Sequence, residues 1–549
     1  MRYMAAIALA GFIVATSASP AVAGGYEYGT DQGGEAMARA GASTAFSNPM
    51  SLYTNVAGIA DIPGYMIYLT DTMTFRRATF QRAPEQNAFG ETPYSEVSDE
   101  TPVFPIGVGL EGHIRLNQWL VLSLGVHGPS AVGWGNFPEG SDAADATGTL
   151  SGASRYDLTH MDIAFLWPTI ALGLRVPHYE NLRFGIAFQP GFVHLAFTSY
   201  AQALGNEVKT ELSLWDPFVP AGEIGFLWRI WRFDIGAQVR LSGGILAEGE
   251  GDDITATFNA RGDSAERSSV GSASFESPWP LAVFRFGVRY AHPRRGASEY
   301  ALLPHQRDFF DVEADFIFEN NSVVDNFNVI LHDVAIPGLP DPIEEVDLNV
   351  PHNWNNTFGV RLGGSFHFLD GMLSASWGFS WESPTVPNEY TRLDYLSWGR
   401  IGLAVGATVR VSIVEITLAY QHMFMSDRDV TNGGAQELNA DPADPDHFTD
   451  TVINNGHYEA SYNMLAFSLG FVWGGNRAAP AEEEAEPEPP ADEAAPADEV
   501  APADEVAPAE EPEPAAEPVS EPEPEPSAEP DTPASDEVLP EGDTSEGEI

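Results

Sequence analysis

The chain has 549 residues, a formal net charge of −54 and no cysteine. That charge argues against a nucleic-acid partner, because it repels a phosphate backbone. Without cysteine there are no disulfides, no thiolate nucleophile and no cysteine-ligated zinc.

Residues 1–23 read as a secretory signal, with Arg2 at the start, an apolar run over 4–16 and Ala21-Val22-Ala23 at a cleavage site. The run is too short to cross a bilayer as a helix, and no other segment reaches ~18 consecutive apolar residues. Any membrane insertion therefore has to be by strands. Residues 24–63 are rich in small side chains, with helical hints near 34–42 and no alternation. A compact hatch inside a barrel accounts for that composition.

From residue 64 onward fourteen segments read as strands, many with apolar side chains at every second position. They are 64–80, 102–115, 118–128, 160–176, 181–199, 214–229, 231–246, 279–291, 308–320, 354–369, 372–383, 396–410, 413–425 and 457–473. Most exceed the ~9–11 residues that a tilted strand needs to cross the hydrocarbon. Tight turns at Leu116-Asn117, 177–180, Ile230-Trp231, Asp370-Gly371 and Val411-Ser412 alternate with long polar segments. The long ones are 81–100, 129–159, 200–213, 246–278, 321–353, 384–395 and 427–456; the turn at 292–307 is longer than the pattern predicts. A soluble sandwich has no reason to lengthen every second connection, whereas outer-membrane barrels have short periplasmic turns and long outer loops. An even strand count puts both ends of the barrel in the periplasm. Residues 64–477 are thus expected to be a transmembrane antiparallel β-barrel of about 14 strands, with the hatch in its lumen.

The closing segment shows the polarity of the wall. Leu465, Phe467, Leu469, Phe471 and Trp473 fall on one face, and Met464, Ala466, Ser468 and Gly470 on the other. Large groups toward lipid and small ones toward the lumen fit a barrel. By the same parity Arg183, Arg240, Arg285, Arg289, Arg361, Arg410, Asp234 and Glu415 point inward. Arg240, Arg285, Arg361 and Arg410 are candidates to meet an anionic headgroup, since arginine binds a carboxylate through two parallel hydrogen bonds; lumen ion pairs are the plainer reading.

Catalytic motifs are weak. Gly107-Val108-Gly109-Leu110-Glu111-Gly112 matches G-x-G-x-x-G but lies within a strand, with no helix to receive a pyrophosphate. Ser365 and His367 share a face without a third partner, so an enzyme is not expected. Asp441, Asp444, Asp446 and Asp450 are the best oxygen-ligand cluster for calcium, followed by Glu248, Glu250, Asp252 and Asp253; solvated loop charge is the plainer reading of both. No cofactor is implied. Residues 478–549 hold 26 acidic side chains and no Lys or Arg, with many prolines. Such a tract cannot build a core and is expected to be a disordered periplasmic arm: a solvated spacer, or a contact for a basic periplasmic or cell-wall partner.

Three stretches resemble the FadL-type outer-membrane transporters of long-chain fatty acids and aromatic hydrocarbons. GGEAMARAGASTAFSNPMSLYTNVAGIA resembles the family's plug signature, LSLGVHGPSAVGWGNFP its third strand and following loop, and WESPTVPNEYTRLDYLSWGRIGLAVG a late hairpin. The family's Asn-Pro-Ala-Gly element reads Asn55-Val56-Ala57-Gly58 here, without the proline, and its Pro-Val-Pro-Asp-Glu pattern reads Thr385-Val386-Pro387-Asn388-Glu389. The resemblance implies passive, substrate-gated uptake of hydrophobic compounds, taken from the outer loops into an apolar pocket. It also implies a hatch that moves around Asn55, Val56, Ala57 and Gly58, and a kinked third strand near Gly125, Gly128 and Pro129 that opens laterally toward membrane lipid. A structural or interaction barrel and a general aqueous porin are the competing readings. An apolar pocket beneath the loops favours transport, a lumen filled with salt bridges favours a structural role, and a wide lumen without a hatch favours a porin.

Overall fold

The computed structural model describes residues 33–474, apart from 88–89, 100–101, 129–133, 142–147, 204–205, 259–265, 269, 279–281, 298–301, 336–339 and 440–447. The signal segment and the acidic tail lie outside the described residues. Fourteen strands form the wall: β1 (Tyr65–Arg82), β2 (Pro102–Arg115), β3 (Leu120–His127), β4 (His160–Arg175), β5 (Leu182–Ala203), β6 (Asn206–Ile230) and β7 (Phe233–Ser242), then β8 (Ala282–Pro293), β9 (Asp308–Glu319), β10 (Thr357–Phe368), β11 (Leu373–Glu382), β12 (Arg400–Val411), β13 (Val414–Met425) and β14 (Gly456–Trp473). β1 pairs antiparallel with β14 from Tyr65↔Trp473 to Arg82↔Gly456 and so closes the barrel. Closure leaves no strand edge with unpaired backbone groups, which hydrocarbon would not tolerate.

Alternation along each strand sorts the side chains as the sequence predicts. Outward positions such as Leu124, Ile170, Ile186, Leu403, Val405 and Leu418 are exposed, while Thr70, Thr417, Ser468 and Ala466 beside them are buried inward. This is the inverse of a soluble protein, and the fold is a transmembrane β-barrel. At the short-turn rim Tyr65 stacks on Trp473 at 6.0 Å, and Phe233 meets Tyr290 edge-on at 5.5 Å. Aromatic rings with one polar atom suit the boundary between hydrocarbon and headgroups. The turn Trp231-Arg232 is two residues long, and Trp231 takes the left-handed conformation (φ 55°) that tight hairpin turns require.

The loop side departs from expectation. Residues 200–213 read as a polar loop, yet β5 and β6 continue as a paired ladder up to Ala203↔Asn206. Ala201, Val208 and Leu212 are buried on one face of that extension, so its polar residues mark only the other face. Residues 246–278 and 321–353 likewise contain strands, among them Ile245–Glu250, Ile254–Phe258, Ser272–Ser277 and the hairpin Asn326–Val334/Ile343–Pro351. The wall therefore rises as a sheet beyond the lipid-facing band. Leu396 and Trp398, expected in a strand, instead belong to a connection folded inward and are buried.

The hatch consists of α1 (Gly34–Ala38), α2 (Ser51–Thr54) and a 3-10 turn (Val56–Asp61). All of residues 33–64 are buried. Space for it comes from glycines that face the lumen at one level. Gly173 pairs with Gly185, Gly185 with Gly225, Gly236 with Gly287, and Gly363 with Gly378. A Cβ on Gly185 would strike the backbone of Val56, and one on Gly378 the backbone of Arg39 and Ala40. The long turn between β8 and β9 helps to close the lumen from below, where Leu303 is buried among Met50, Ile62 and Met66.

A Gly378→Val substitution is expected to force the hatch off its seat, because neither the β11 backbone nor the hatch backbone can give way without strain of about 1–3 kcal/mol. In planar bilayers the variant should conduct ions where the native protein is closed.

Candidate functional site

Above the hatch, on the loop side, the extended sheet and the inward-folded loops enclose a cavity of about 110 Å³. Phe197, Ala201, Leu212, Phe275, Phe327, Leu331 and Leu348 form its walls. Four polar side chains, Asp157, His352, Arg392 and Asp394, also line it. Arg392 Nε donates to Asp157 Oδ1 at 2.7 Å, and the Leu393 N–H donates to Asp157 Oδ2 at 2.8 Å. His352 Nε2 lies 2.7 Å from Asp394 Oδ2, and its Nδ1 lies 3.0 Å from the Val350 carbonyl. Burial pushes the Asp157 carboxyl above its ordinary range, and Arg392 pulls it only part of the way back. Burial acts on Asp394 in the same sense, but His352, Arg392 and the Tyr395 N–H together hold it below the ordinary range.

The cavity is not isolated. Its walls belong to one cluster of packed, buried side chains that runs through Trp354, Trp398, Tyr458, Tyr462 and Met464 down to Met37 and Ala38 of the hatch. At hatch level the lumen is polar instead. Asp311, Glu313 and Asp315 project inward from alternate positions of β9 and grip the hatch. Arg39 donates to Asp311 at 2.7 Å and to Glu313 at 2.9 Å. The Ala45 N–H donates to Glu313 at 2.6 Å, and Ser43 N–H, Thr44 N–H and the Thr44 hydroxyl all donate to Asp315. On the opposite side Asp61 accepts from Arg175, from Arg183 at 2.8 Å and from the Ser47 hydroxyl at 2.9 Å. The β9 carboxylates are legible as the alternation Asp-Val-Glu-Ala-Asp, but parity alone does not say what they hold, and the reading of arginines overlooked them. Arg392 was missed because it lies in a connection, where no strand parity applies.

The third strand runs beside the hatch. β3 pairs with β2 only up to His127↔Gly109, with one further bond from the Gly128 N–H to the Val108 carbonyl at 3.2 Å. Against β4, pairing stops at His127↔Trp167 and resumes at Trp134↔Asp162. His127 packs edge-on against Tyr53 of the hatch at 4.4 Å.

The residues expected to form the gate contact different parts of the hatch and wall. Asn55 donates to the Thr44 carbonyl at 2.7 Å and the Phe226 carbonyl at 3.0 Å, and its Oδ1 accepts from Ala57 N–H. Val56 N–H donates to Gln238. A Cβ on Gly58 would meet Ser51, and one on Gly125 would meet Leu52. Pro129 lies outside the described residues. The four headgroup arginines do not converge and none lines the cavity. Arg240 donates to Gln189 at 3.0 Å and lies over the Trp167 ring, and Arg285 lies over Tyr53. Arg361 pairs with Glu382 at 2.9 Å. Arg410 pairs with Glu415 at 2.6 Å and with Glu35 of the hatch, near the short-turn rim. Of the acidic loop clusters, Asp441, Asp444 and Asp446 lie outside the described residues, Asp450 is exposed, and Glu248, Glu250, Asp252 and Asp253 are exposed as well.

No protein-family model and no curated sequence matches this chain. Solved structures do. The fold is similar to that of a Pseudomonas aeruginosa FadL homologue, at 11% identity, a TM-score of 0.58 and coverage of 82% of this chain and 99% of that one. It is similar to the Pseudomonas putida toluene transporter TodX, at 13% identity, a TM-score of 0.55 and coverage of 80% and 97%. The Ralstonia pickettii toluene transporter TbuX aligns at 13% identity, a TM-score of 0.52 and coverage of 80% and 98%. At these identities the likeness is one of fold, and the fold is that of the FadL-type channels.

Replacing Arg39 by Ala would leave Glu313 buried without its guanidinium and Asp311 with Arg289 alone, at a cost of about 3–5 kcal/mol. The native chain has no cysteine, so Ser47→Cys gives the hatch a unique label. A membrane-impermeant maleimide should react with that thiol in the Arg39→Ala background and not in the otherwise native protein.

Proposed function

We propose that the protein admits small hydrophobic molecules across an outer membrane, taking them from the loop side into the apolar cavity and passing them along the packed aromatic path toward the hatch. The observation that carries this reading is the cavity itself, apolar along its walls and joined to the hatch by buried side chains. A soluble molecule gains ~0.8 kcal/mol per CH₂ on entering such a space. An engineered cavity of ~150 Å³ accepts benzene. A space of about 110 Å³ therefore suits a single ring or a short chain better than an extended long-chain fatty acid. The toluene transporters among the similar folds accord with that size. Release follows from a shift of the hatch around Asn55–Gly58 and exit sideways at the third strand near Gly125 and Gly128. The ligand shifts the hatch only if it binds the open state more tightly than the closed one.

The lumen ion pairs favour a second reading, a barrel that only holds its hatch and loops in place. The two readings separate on uptake. In cells carrying the native protein, labelled toluene should accumulate faster than in cells without it, and a Leu331→Trp variant, whose indole fills the cavity, should lose most of that gain. Labelled oleate should respond less. If the native protein does not change entry of either compound, the transport reading fails and the structural one stands.

A further inference from the structure

The loop-side end of β14 gathers a set of side chains that neither the cavity nor the hatch uses. His457 and Glu459 stand two positions apart there, on the face opposite the buried Tyr458 and Ala460, so the alternation of the strand aims both outward together. The short strand Arg428–Val430 pairs alongside with Asp429 opposite His457, and Asp427 directly precedes it. A carboxylate oxygen of Asp427, one of Glu459 and a ring nitrogen of His457 all lie within 4.8 Å of one another. Among the described residues this is the one group of its kind. His457 Nε2 lies 3.5 Å from Glu459 Oε1, close to the spacing of two ligands on a tetrahedral ion with bonds of ~2.0–2.1 Å. The other ring nitrogen, Nδ1, lies 2.7 Å from Asp429 Oδ1. A carboxylate accepts, so Nδ1 donates, and Nε2 is the ring's ligand atom.

We infer that Asp427, His457 and Glu459 bind a first-row divalent cation of the zinc type, with Asp429 as a positioning residue that orients the imidazole. The imidazole sets the class of metal. It suits zinc, nickel and copper, whereas magnesium and calcium prefer oxygen ligands, and calcium takes about six to eight of them. Three protein ligands leave a position for water. The ligands come from both ends of the connection 427–456, so the cation ties those ends together. The same connection supplies Leu438 to the cavity wall. The inference does not depend on what the cavity carries.

The test is a calorimetric titration of zinc chloride into the detergent-solubilised full chain, prepared without a polyhistidine tag, with cobalt(II) as an optical probe. The native protein should take up one equivalent of zinc more tightly than its many scattered carboxylates do. Cobalt(II) should show the intense visible absorption of a four- or five-coordinate site. His457→Gln should remove both the tight equivalent and the absorption. Asp429→Asn keeps an acceptor facing Nδ1 and should retain the site but weaken zinc binding about tenfold. Calcium should not compete. A native protein without a tight equivalent, a tight equivalent that survives His457→Gln, or calcium that displaces zinc at equal concentration overturns the inference. Unchanged zinc affinity in Asp429→Asn overturns the positioning role alone. The zinc titration, the cobalt spectrum and the calcium competition use native protein, so they decide the matter even if a variant does not fold.

Discussion

The constraint on which the structure depends is the burial of a polar backbone inside a low-dielectric lumen. A segment of about thirty residues without regular strands brings many N–H and C=O groups with it, and each must find a partner. The wall answers in two ways. Inward glycines remove the side chains that would hold the hatch away, so that Val56 and Arg39 reach the strands directly. Inward carboxylates on β9 then accept the N–H groups of Ser43, Thr44 and Ala45. The barrel is wide enough for a hatch only because these positions are small, and the hatch is oriented only because these positions are acidic.

The lumen is therefore divided by chemistry along its axis. At hatch level buried guanidinium and carboxylate groups form linked sets, as in Arg289 with Asp234, Asp308 and Asp311. Desolvation offsets much of the attraction within such pairs, so they serve registry more than net stability. Above them aromatic and aliphatic side chains form the cavity walls, with buried ion pairs such as Arg392–Asp157 and Arg155–Glu207 set among them. A molecule arriving from the loop side meets an apolar chamber first and the polar clamp only afterwards. A hatch held by hydrogen bonds and ion pairs, rather than by a greasy interface, would let an apolar ligand reach its upper face without dissolving the contacts that seat it.

Much of this was written in the chain. Period-two alternation with large residues on one face and small ones on the other fixed fourteen strands, their facing and the inward parity of Arg183, Arg240, Arg285 and Arg289, because a strand leaves a side chain only two faces to choose from. The small-residue composition of the first mature segment foretold a hatch for the same reason, since only small groups pack backbone against backbone. Alternation could not say where the wall ends, so the polar ladder of β5 and β6 read as a loop. Nor could it say what an inward charge meets. Asp311, Glu313 and Asp315 find Arg39 and Thr44 from some 270 positions earlier in the chain, and Arg392 finds Asp157 across the cavity. Those partners are set by closure of the barrel and by the inward fold of its connections, which bring distant residues together in a way that no local pattern records.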